Sequence, residues 1–460
     1  MIVDDDAASM TTRYRLLDSI RAFAVEAMTD AGLSERAFAA HAAWFADAAE
    51  SSTQGVRSTD QAQHLAFARA ERANIDAALT WSIVHDPLRA LTIVNGFGWA
   101  WVVLGGSRGA QRILAALDAA DAAPHRDRAN ALLLAAWIEA STGRLELARD
   151  HIAAATEVAD MINDVDLQAR CSYYLAYVVS HHGEFRYALE LTDRCNALYD
   201  ALDRPWDQAA NWLFATRAAI SAGDQERSVE AVARVDHWLQ TVDDPWLHVR
   251  HEAVRGELAR VQHRFDDAVV HLGRAAETSQ RLGFQQTEAY QLSSLGRAQC
   301  QAGDYETGSD TLQLAIDKAE ATGDVRLAAL ARVHLGRVLR ALGQAARARA
   351  ALEAATAWHR AAGGGEQAAL GECLLVAMAL DDPQADAEQR LTAILEAARR
   401  SDLPHVEVFA LDALARIAAE AGDIDSARRL SANADRRMED ASHFISDFDR
   451  IDAHAVRQLA

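Results

Sequence analysis

Residues 263–268 read HRFDDA, and residues 143–148 and 183–188 read GRLELA and GEFRYA. Each copy of this pattern begins with a glycine or histidine and has a small residue five positions later. Copies begin at residues 143, 183, 223, 263, 303 and 343, a spacing of 40, with further copies at 105–110, near Pro383 and at 422–427. A fixed period of this length indicates tandem supersecondary units that stack on one another.

Two columns of small residues flank these turns. Seven residues before the turn stand Ala136, Ala176, Thr216, Gly256, Gly296, Gly336 and Ala415, and five after it stand Ala148, Ala188, Ser228, Ala268, Gly308, Ala348 and Ala427. Small residues at two fixed levels allow antiparallel helices to approach closely, and the turn glycine supplies the positive φ that ends the first helix. The sequence therefore predicts an all-α protein, an α-solenoid of tandem 40-residue helical hairpins, with about eight hairpins across residues 126–440.

The columns resemble the tetratricopeptide repeat, which has a small residue, a glycine and an alanine at the same relative spacing. The common form of that repeat has about 34 residues, so the 40-residue unit is more similar to the longer-repeat superhelices of bacterial signal-responsive regulators. The resemblance implies a binding scaffold without a catalytic site. The alternative is an ordinary alanine-rich helical bundle.

The amino-terminal third departs from the 40-residue phase. Residues 13–24 (RYRLLDSIRAFA), 36–50 and 71–81 (ERANIDAALTW) together resemble the region that follows the ATPase core in actinobacterial signal-transduction ATPases, a family that includes LuxR-type transcriptional regulators. In that family the first stretch is the last strand and helix of a winged-helix domain.

This second resemblance implies a division of the chain. Residues 1–34 are expected to be the remnant of a winged-helix domain, a strand plus a helix, and residues 35–125 a helical entry region. Residues 126–460 are expected to be the tetratricopeptide-like superhelix with a C-terminal capping helix. A separate ATPase half is an expected partner. For residues 1–34 the alternative is a frayed strand followed by an amphipathic helix.

Charge and motif content argue against several functions. The formal net charge is -21, which opposes direct binding to nucleic acid or to an anionic membrane surface. Lys318 is the only lysine and follows Asp317, so the chain lacks the Gly-Lys-Ser/Thr of a phosphate-binding loop. We therefore predict that the protein is not an enzyme, and that it hydrolyses no nucleotide by itself.

Targeting and metal signals are equally weak. Residues 1–6 are acidic and unlike a signal peptide, and the apolar run at 96–106 is about half of the roughly 20 residues that a membrane-spanning helix needs. The four cysteines show no C-x-x-C spacing, so we expect a cytoplasmic protein with reduced thiols. His248 and His251 have a spacing that chelates zinc, but no third ligand stands nearby. We expect neither a metal nor a cofactor.

The column six residues before each turn carries the candidate site. It contains Trp137, Tyr177, Arg217, Glu257, Arg297, Arg337, Ala377 and Arg416, and the column three before the turn adds Arg260 and Arg340. In the tetratricopeptide superhelix the first of these positions lines the concave groove. The predicted groove residues are Arg217, Arg260, Arg297, Arg337, Arg340 and Glu257, with Trp137, Tyr173 and Tyr177 forming an aromatic entrance.

Arginine binds carboxylate and phosphate groups bidentately. The groove is therefore expected to bind a protein or peptide partner, or a small anionic ligand. The alternative is that these arginines pair internally with Glu257 and neighbouring carboxylates. These patterns leave two functions open: a ligand- or partner-sensing part of a signal-transduction ATPase-type regulator, or a stand-alone adaptor that assembles other proteins.

Overall fold

A computed structural model describes residues 2–4, 13–15, 17–104, 109–121, 124–379, 386–441 and 449–459. The amino terminus contributes a short antiparallel hairpin, in which β1 (Ile2–Asp4) pairs with β2 (Arg13–Arg15) and Ile2 lies opposite Arg15. The remaining regular structure in the described part of the chain is helical. The predicted all-α solenoid fold is confirmed.

In the described part of the chain, six helices precede the repeat array. They are α1 (Asp18–Asp30), α2 (Ser34–Gly55), α3 (Gln61–Ala70), α4 (Arg72–His85), α5 (Pro87–Leu104) and α6 (Gly109–Ala119). By length and composition α5 passes as a candidate membrane span, but 72% of it is buried inside the fold. It packs against α2, α4 and α7. We therefore interpret α5 as an apolar core helix.

The array itself consists of eight helix pairs. They are α7 (His125–Ser141) with α8 (Leu145–Met161), α9 (Val165–His181) with α10 (Phe185–Tyr199), α11 (Pro205–Ala222) with α12 (Gln225–Trp238), α13 (Pro245–Val261) with α14 (Phe265–Leu282), α15 (Gln285–Gln301) with α16 (Tyr305–Thr322), α17 (Val325–Ala341) with α18 (Ala345–Ala361), α19 (Gly365–Met378) with α20 (Ala387–Arg400), and α21 (Pro404–Glu420) with α22 (Ile424–Ala441). A last helix, α23 (Ile451–Leu459), follows the array.

The turns lie where the repeat predicts them. Positive φ angles occur at Gly143, Gly183, Gly223, His263, Gly303, Gly343 and Gly422. The acidic residue after the turn caps the second helix of three pairs, since the carboxylates of Asp224, Asp304 and Asp423 accept hydrogen bonds from the N–H groups of Arg227, Thr307 and Ser426. The degenerate copy at Pro383, and residues 105–108 of the upstream copy, lie outside the described residues.

The small columns let the two helices of a pair touch. A Cβ on Gly308 would lie 2.9 Å from the carbonyl oxygen of Gly296 on the facing helix. A Cβ on Gly256 would lie 2.6 Å from Cγ of Leu272. Both distances are shorter than real Cβ contacts, so side chains are excluded at these levels by close packing.

We expect Gly308→Ala to destabilise the protein by about 1 to 3 kcal/mol, because its Cβ meets backbone that must move. The matched control is Gly273→Ala, in α14, where an added Cβ meets nothing within 4 Å. That change should stabilise by about 0.5 to 1 kcal/mol through helix propensity alone. Urea unfolding measures both, and equal effects of the two substitutions would refute close packing in the columns.

The array closes on itself, which converts its concave face into a cavity. A Cβ on Gly143, in the turn of the first pair, would lie 2.8 Å from Cζ2 of Trp358 in the sixth pair. A Cβ on Gly183 would lie 3.3 Å from Oε2 of Glu366. The entry helices add to the closure, since Arg69 of α3 donates a hydrogen bond of 2.7 Å to the carbonyl of Gly283.

The segment around α23 covers the far end of the concave face. Arg450 forms a bidentate ion pair with Asp412 of α21, with N–O distances of 2.8 and 2.7 Å. Asp449 lies 2.7 Å from Arg337, and Asp452 accepts a hydrogen bond of 2.9 Å from Arg340. The C-terminal segment therefore places two carboxylates on the arginines at that end.

Candidate anion-binding cavity

The cavity enclosed by the array has a volume of about 340 Å³. Its wall is formed mainly by one stripe of the first helix of each pair, from α9 to α21, together with α18 and the turn at Gly143. Residues spaced three or four apart on a helix share a face, and equivalent helices present equivalent faces. The repeat thus brings side chains from distant parts of the sequence to one enclosed space.

Six arginines and two glutamates line this space in a protein of net charge -21. The arginines are Arg217, Arg250, Arg260, Arg297, Arg326 and Arg337, and the glutamates are Glu257 and Glu366. The sign of the cavity is therefore opposite to that of the molecule as a whole. A wall of this kind focuses a positive potential inward and attracts anions.

Three of these arginines form what we call the open cluster: Arg217, Arg250 and Arg326. Arg217 donates to neutral oxygens, Tyr290 Oη at 3.2 Å and Ser180 Oγ at 3.5 Å. Within the described part of the chain, no hydrogen bond or ion pair is made by Arg250 or Arg326, and the Nε atom of each is buried without a partner. Burial, and then the charge of Arg217, lower the pKa of Arg250.

Contacts around Tyr290 and His181 bring the open cluster together. The guanidinium carbons of Arg217 and Arg250 lie 5.8 and 5.9 Å from the ring centroid of Tyr290. Burial raises the pKa of the Tyr290 phenol, but Arg217 and Arg250 outweigh it and the net pKa is lowered. Burial, Arg326 and Arg217 hold the pKa of His181 well below its usual value.

The other arginines are compensated, in whole or in part. Arg260 donates a hydrogen bond of 2.8 Å to Glu257, and Arg337 lies 2.7 Å from Asp449 and above the ring of Phe409. Burial, and then Arg260, lower the pKa of Arg297 to about 10, so this group is still charged at neutral pH. Glu257 and Asp449 offset the lowering of the Arg297 pKa only in part. Among the described residues, the open cluster and Arg297 form no ion pair, whereas Arg260 and Arg337 do.

Buried histidines line the cavity without adding charge to it. Burial, and then Arg326, lower the pKa of His359 to about 4. Burial, Arg297 and Arg337 lower the pKa of His334 well below its usual value. The Nε2 atoms of His181 and His359 are buried without a hydrogen-bond partner among the described residues. At neutral pH both rings offer hydrogen bonds to a ligand as neutral groups.

His359 should make the protein sensitive to acid. Its folded pKa lies below the unfolded value of about 6.5, so the unfolded state binds more protons as pH falls from 6.5 to about 4. Stability that is present above pH 6.5 is lost across that window, by up to about 3 kcal/mol. His359→Gln should flatten this loss in urea unfolding measured at several pH values, whereas superimposable curves would refute a buried neutral His359.

Comparison with solved structures supports the architecture. A Rap protein in complex with Competence and Sporulation Factor superposes with a TM-score of 0.56 at 12% identity, over 76% of this chain and 98% of that chain. The Rap conjugation gene regulator of the plasmid pLS20, in complex with the Phr* peptide, gives a TM-score of 0.50 at 12% identity, over 66% and 88% of the two chains. The chain has a tetratricopeptide-like helical fold.

A third likeness has a lower score. It is to a signal transduction ATPase with numerous domains that carries a tetratricopeptide repeat sensor, from Pyrococcus horikoshii, with a TM-score of 0.47 at 13% identity over 78% of this chain. This chain covers 56% of the length of that protein. No family model matches the sequence, and no curated protein matches it either.

The tetratricopeptide-like array brings most of the predicted groove arginines together. Arg217, Arg260, Arg297 and Arg337 all line the cavity, with Glu257 among them. The alternative of internal pairing with Glu257 and neighbouring carboxylates describes three of the predicted arginines: Arg260 pairs with Glu257, Arg337 with Asp449 and Arg340 with Asp452. That the cavity binds a ligand stays a prediction.

The predicted position of Arg340 in the groove is wrong. Arg340 lies outside the cavity wall, where Nη1 donates 2.9 Å to Asp452 and Nη2 contacts the carbonyl of Ala377 at 3.4 Å. The reason is the C-terminal segment, which folds back on this end of the array. The repeat columns carry no information about where that segment folds.

The aromatic entrance also needs correction. Trp137 and Tyr177 are each 9% exposed, and their rings stack with centroids 3.9 Å apart. Tyr173 packs on Trp137 and on Phe214, at centroid distances of 6.0 Å in both cases. None of the three lines the cavity. Closure of the array buries these rings as packing between the first three pairs, so they do not form an open rim.

The residues of the cavity wall that were not predicted from the sequence include Arg250, Arg326, His181 and Tyr290. The signal was present, because the stripe that holds the column six before the turn continues toward the start of the helix. Positions 13 and 17 before the turn lie on it, and they hold Arg250, Tyr290 and Arg326. A full helix stripe, rather than its C-terminal part, identifies the open cluster.

Proposed function

We propose that the protein is a non-catalytic sensor that binds an anion-bearing ligand or peptide in the cavity of its tetratricopeptide-like array. One observation carries the proposal: Arg217, Arg250 and Arg326 face an enclosed space without a carboxylate partner among the described residues. Charged groups in an enclosed, partly desolvated space are normally paired, because desolvation of an unpaired ion is costly. A ligand that supplies the negative charge satisfies all three.

The solved structures of similar fold support a binding role. Two of them are complexes, one with Competence and Sporulation Factor and the other with the Phr* peptide. In both cases a protein of this architecture holds a second molecule. We infer the same role here, in which the array binds a signal and another module responds.

The responding module is proposed to be the ATPase half of a signal-transduction ATPase-type transcriptional regulator. The support is the resemblance of residues 13–24 and 71–81 to the region that follows the ATPase core in that family. The hairpin of β1 and β2 followed by α1 fits the end of a winged-helix domain. Under this assignment, the host is an actinobacterium and the protein is cytoplasmic.

A stand-alone adaptor is the second candidate, and one surface favours it. Apolar side chains are exposed on α1 and α2, with Phe23 70%, Trp44 55% and Phe38 39% exposed. Such residues mark a contact surface when they lie together. Partner-binding experiments distinguish the two functions. Anions should displace a partner that occupies the cavity, whereas Trp44→Asp should abolish binding of a partner at the exposed surface.

The direct test is a panel of anions in thermal unfolding. Phosphate esters, dicarboxylates and a tetraglutamate peptide are compared with a tetralysine peptide, at sodium chloride concentrations from about 0.05 M to about 0.3 M. We expect at least one anion class to raise the unfolding midpoint, by less as salt rises, and tetralysine to have no such effect. A midpoint insensitive to every anion would contradict the proposal.

A further inference from the structure

The cavity has two chemically different ends. At one end Arg337 and Arg260 already have carboxylate partners in Asp449 and Glu257. At the other end the open cluster has none among the described residues. The three arginines of the open cluster, on α11, α13 and α17, therefore lack the carboxylate partners that Arg337 and Arg260 have.

The three arginines of the open cluster face one enclosed space. Arg217 and Arg250 flank the same ring of Tyr290, at 5.8 and 5.9 Å. Arg217 and Arg326 both act on His181. Guanidinium groups that face one enclosed space match an anion with three terminal oxygens, because each guanidinium donates in a fixed fork. Neutral His181 and His359 add donors or acceptors without adding to the positive charge.

Another part of the cavity wall is apolar. Val254, Leu330, Leu370 and Phe409 line it, with Trp358 at the closure of the array. The volume of about 340 Å³ lies at the lower end of small-molecule sites. A space of this size holds a head group and a ring or short chain, and it is too small for a folded partner.

We propose that the ligand is a small organic phosphate, with a doubly charged phosphomonoester head held by Arg217, Arg250 and Arg326 and an apolar body against Leu330, Leu370 and Phe409. This inference rests on the proposed function and narrows it to one ligand class. A phosphomonoester supplies close to two negative charges at neutral pH and three acceptor oxygens. A sulfonate has the same oxygens and only one charge, which makes it a matched control.

The test is calorimetric titration of the full chain at pH 7.5 with four probes: 1-naphthyl phosphate, naphthalene-1-sulfonate, inorganic phosphate and tetraglutamate. We expect 1-naphthyl phosphate to bind one site, at least about tenfold tighter than the sulfonate and inorganic phosphate, since a second charge and an apolar body are each worth about 1.4 kcal/mol or more. Arg326→Met should weaken it by about tenfold or more. Arg332→Met, on the same helix and paired with Glu320, should not.

The outcomes separate this inference from the broader proposal. If tetraglutamate or the sulfonate binds as tightly as 1-naphthyl phosphate, and Arg326→Met weakens that binding, the cavity is an anion site and the assignment of a phosphate ligand is wrong. If no probe binds, both fail. The unfolding midpoint of Arg326→Met is measured without ligand to detect misfolding. If this variant has an unchanged midpoint and still binds 1-naphthyl phosphate with full affinity, the inference is also overturned.

Discussion

Replacing Arg250 with methionine is expected to stabilise the ligand-free protein while it abolishes most of the anion affinity. The guanidinium of Arg250 is half-buried, lacks a described hydrogen-bond partner and is repelled by Arg217. Removal of that repulsion should raise stability by on the order of 1 kcal/mol. Loss of a charged hydrogen-bond donor should weaken ligand binding by about 10- to 100-fold.

The opposite signs make this substitution informative. Arg255 lies on the same helix but is exposed and outside the cavity, so Arg255→Met should change neither quantity appreciably. Thermal unfolding and calorimetry on the two variants give both numbers. If Arg250→Met destabilises the ligand-free protein and leaves anion affinity intact, Arg250 is a packing residue and the open cluster is misassigned.

The second large effect is expected at the far end of the array. Asp412 is 1% exposed and holds Arg450 through two hydrogen bonds of 2.7 and 2.8 Å. Asp412→Ala leaves the Arg450 guanidinium buried against α21, with Asp435 as its other carboxylate partner at 2.7 Å. Breaking one side of a buried pair typically costs about 3 to 5 kcal/mol, so we expect a loss of that size in urea unfolding.

A double substitution separates charge from packing. Asp412→Leu combined with Arg450→Met removes both charges and keeps apolar volume, so it should recover most of the stability lost in Asp412→Ala. Hydrogen exchange should show the loss concentrated in α21 and α23, because repeat arrays unfold locally. An Asp412→Ala variant as stable as the wild type would contradict a buried ion pair that anchors the C-terminal segment.

The repeat and its turns follow directly from the sequence. Gly143, Gly183 and Gly223 are needed because their turns have positive φ angles. Gly296 and Gly308 are needed because a side chain at either position would collide with the facing helix. These are local requirements, and they recur every 40 residues, so their signal adds up along the chain. The placement of Arg217 and Arg297 on the concave side follows from the same periodicity.

Features that depend on long-range contacts did not follow from the sequence. Closure of the array depends on Gly143 meeting Trp358, more than 200 residues away, and it turns Trp137 from an expected rim residue into packing. The capture of Arg340 by Asp452 depends on a segment beyond the array. A periodic pattern reports which face a side chain occupies, but not what else folds onto that face.

The central claim is that Arg217, Arg250 and Arg326 bind one anion inside the closed array. The most direct measurement is an anomalous difference map from crystals of the full chain soaked in tungstate, a scatterer with the shape and charge of phosphate. We predict a peak within about 4 Å of all three guanidinium groups, at charge-assisted hydrogen-bond range. A map with no peak there, and with the three guanidinium groups paired to carboxylates of the chain, would show that the cavity is a structural interior and not a binding site.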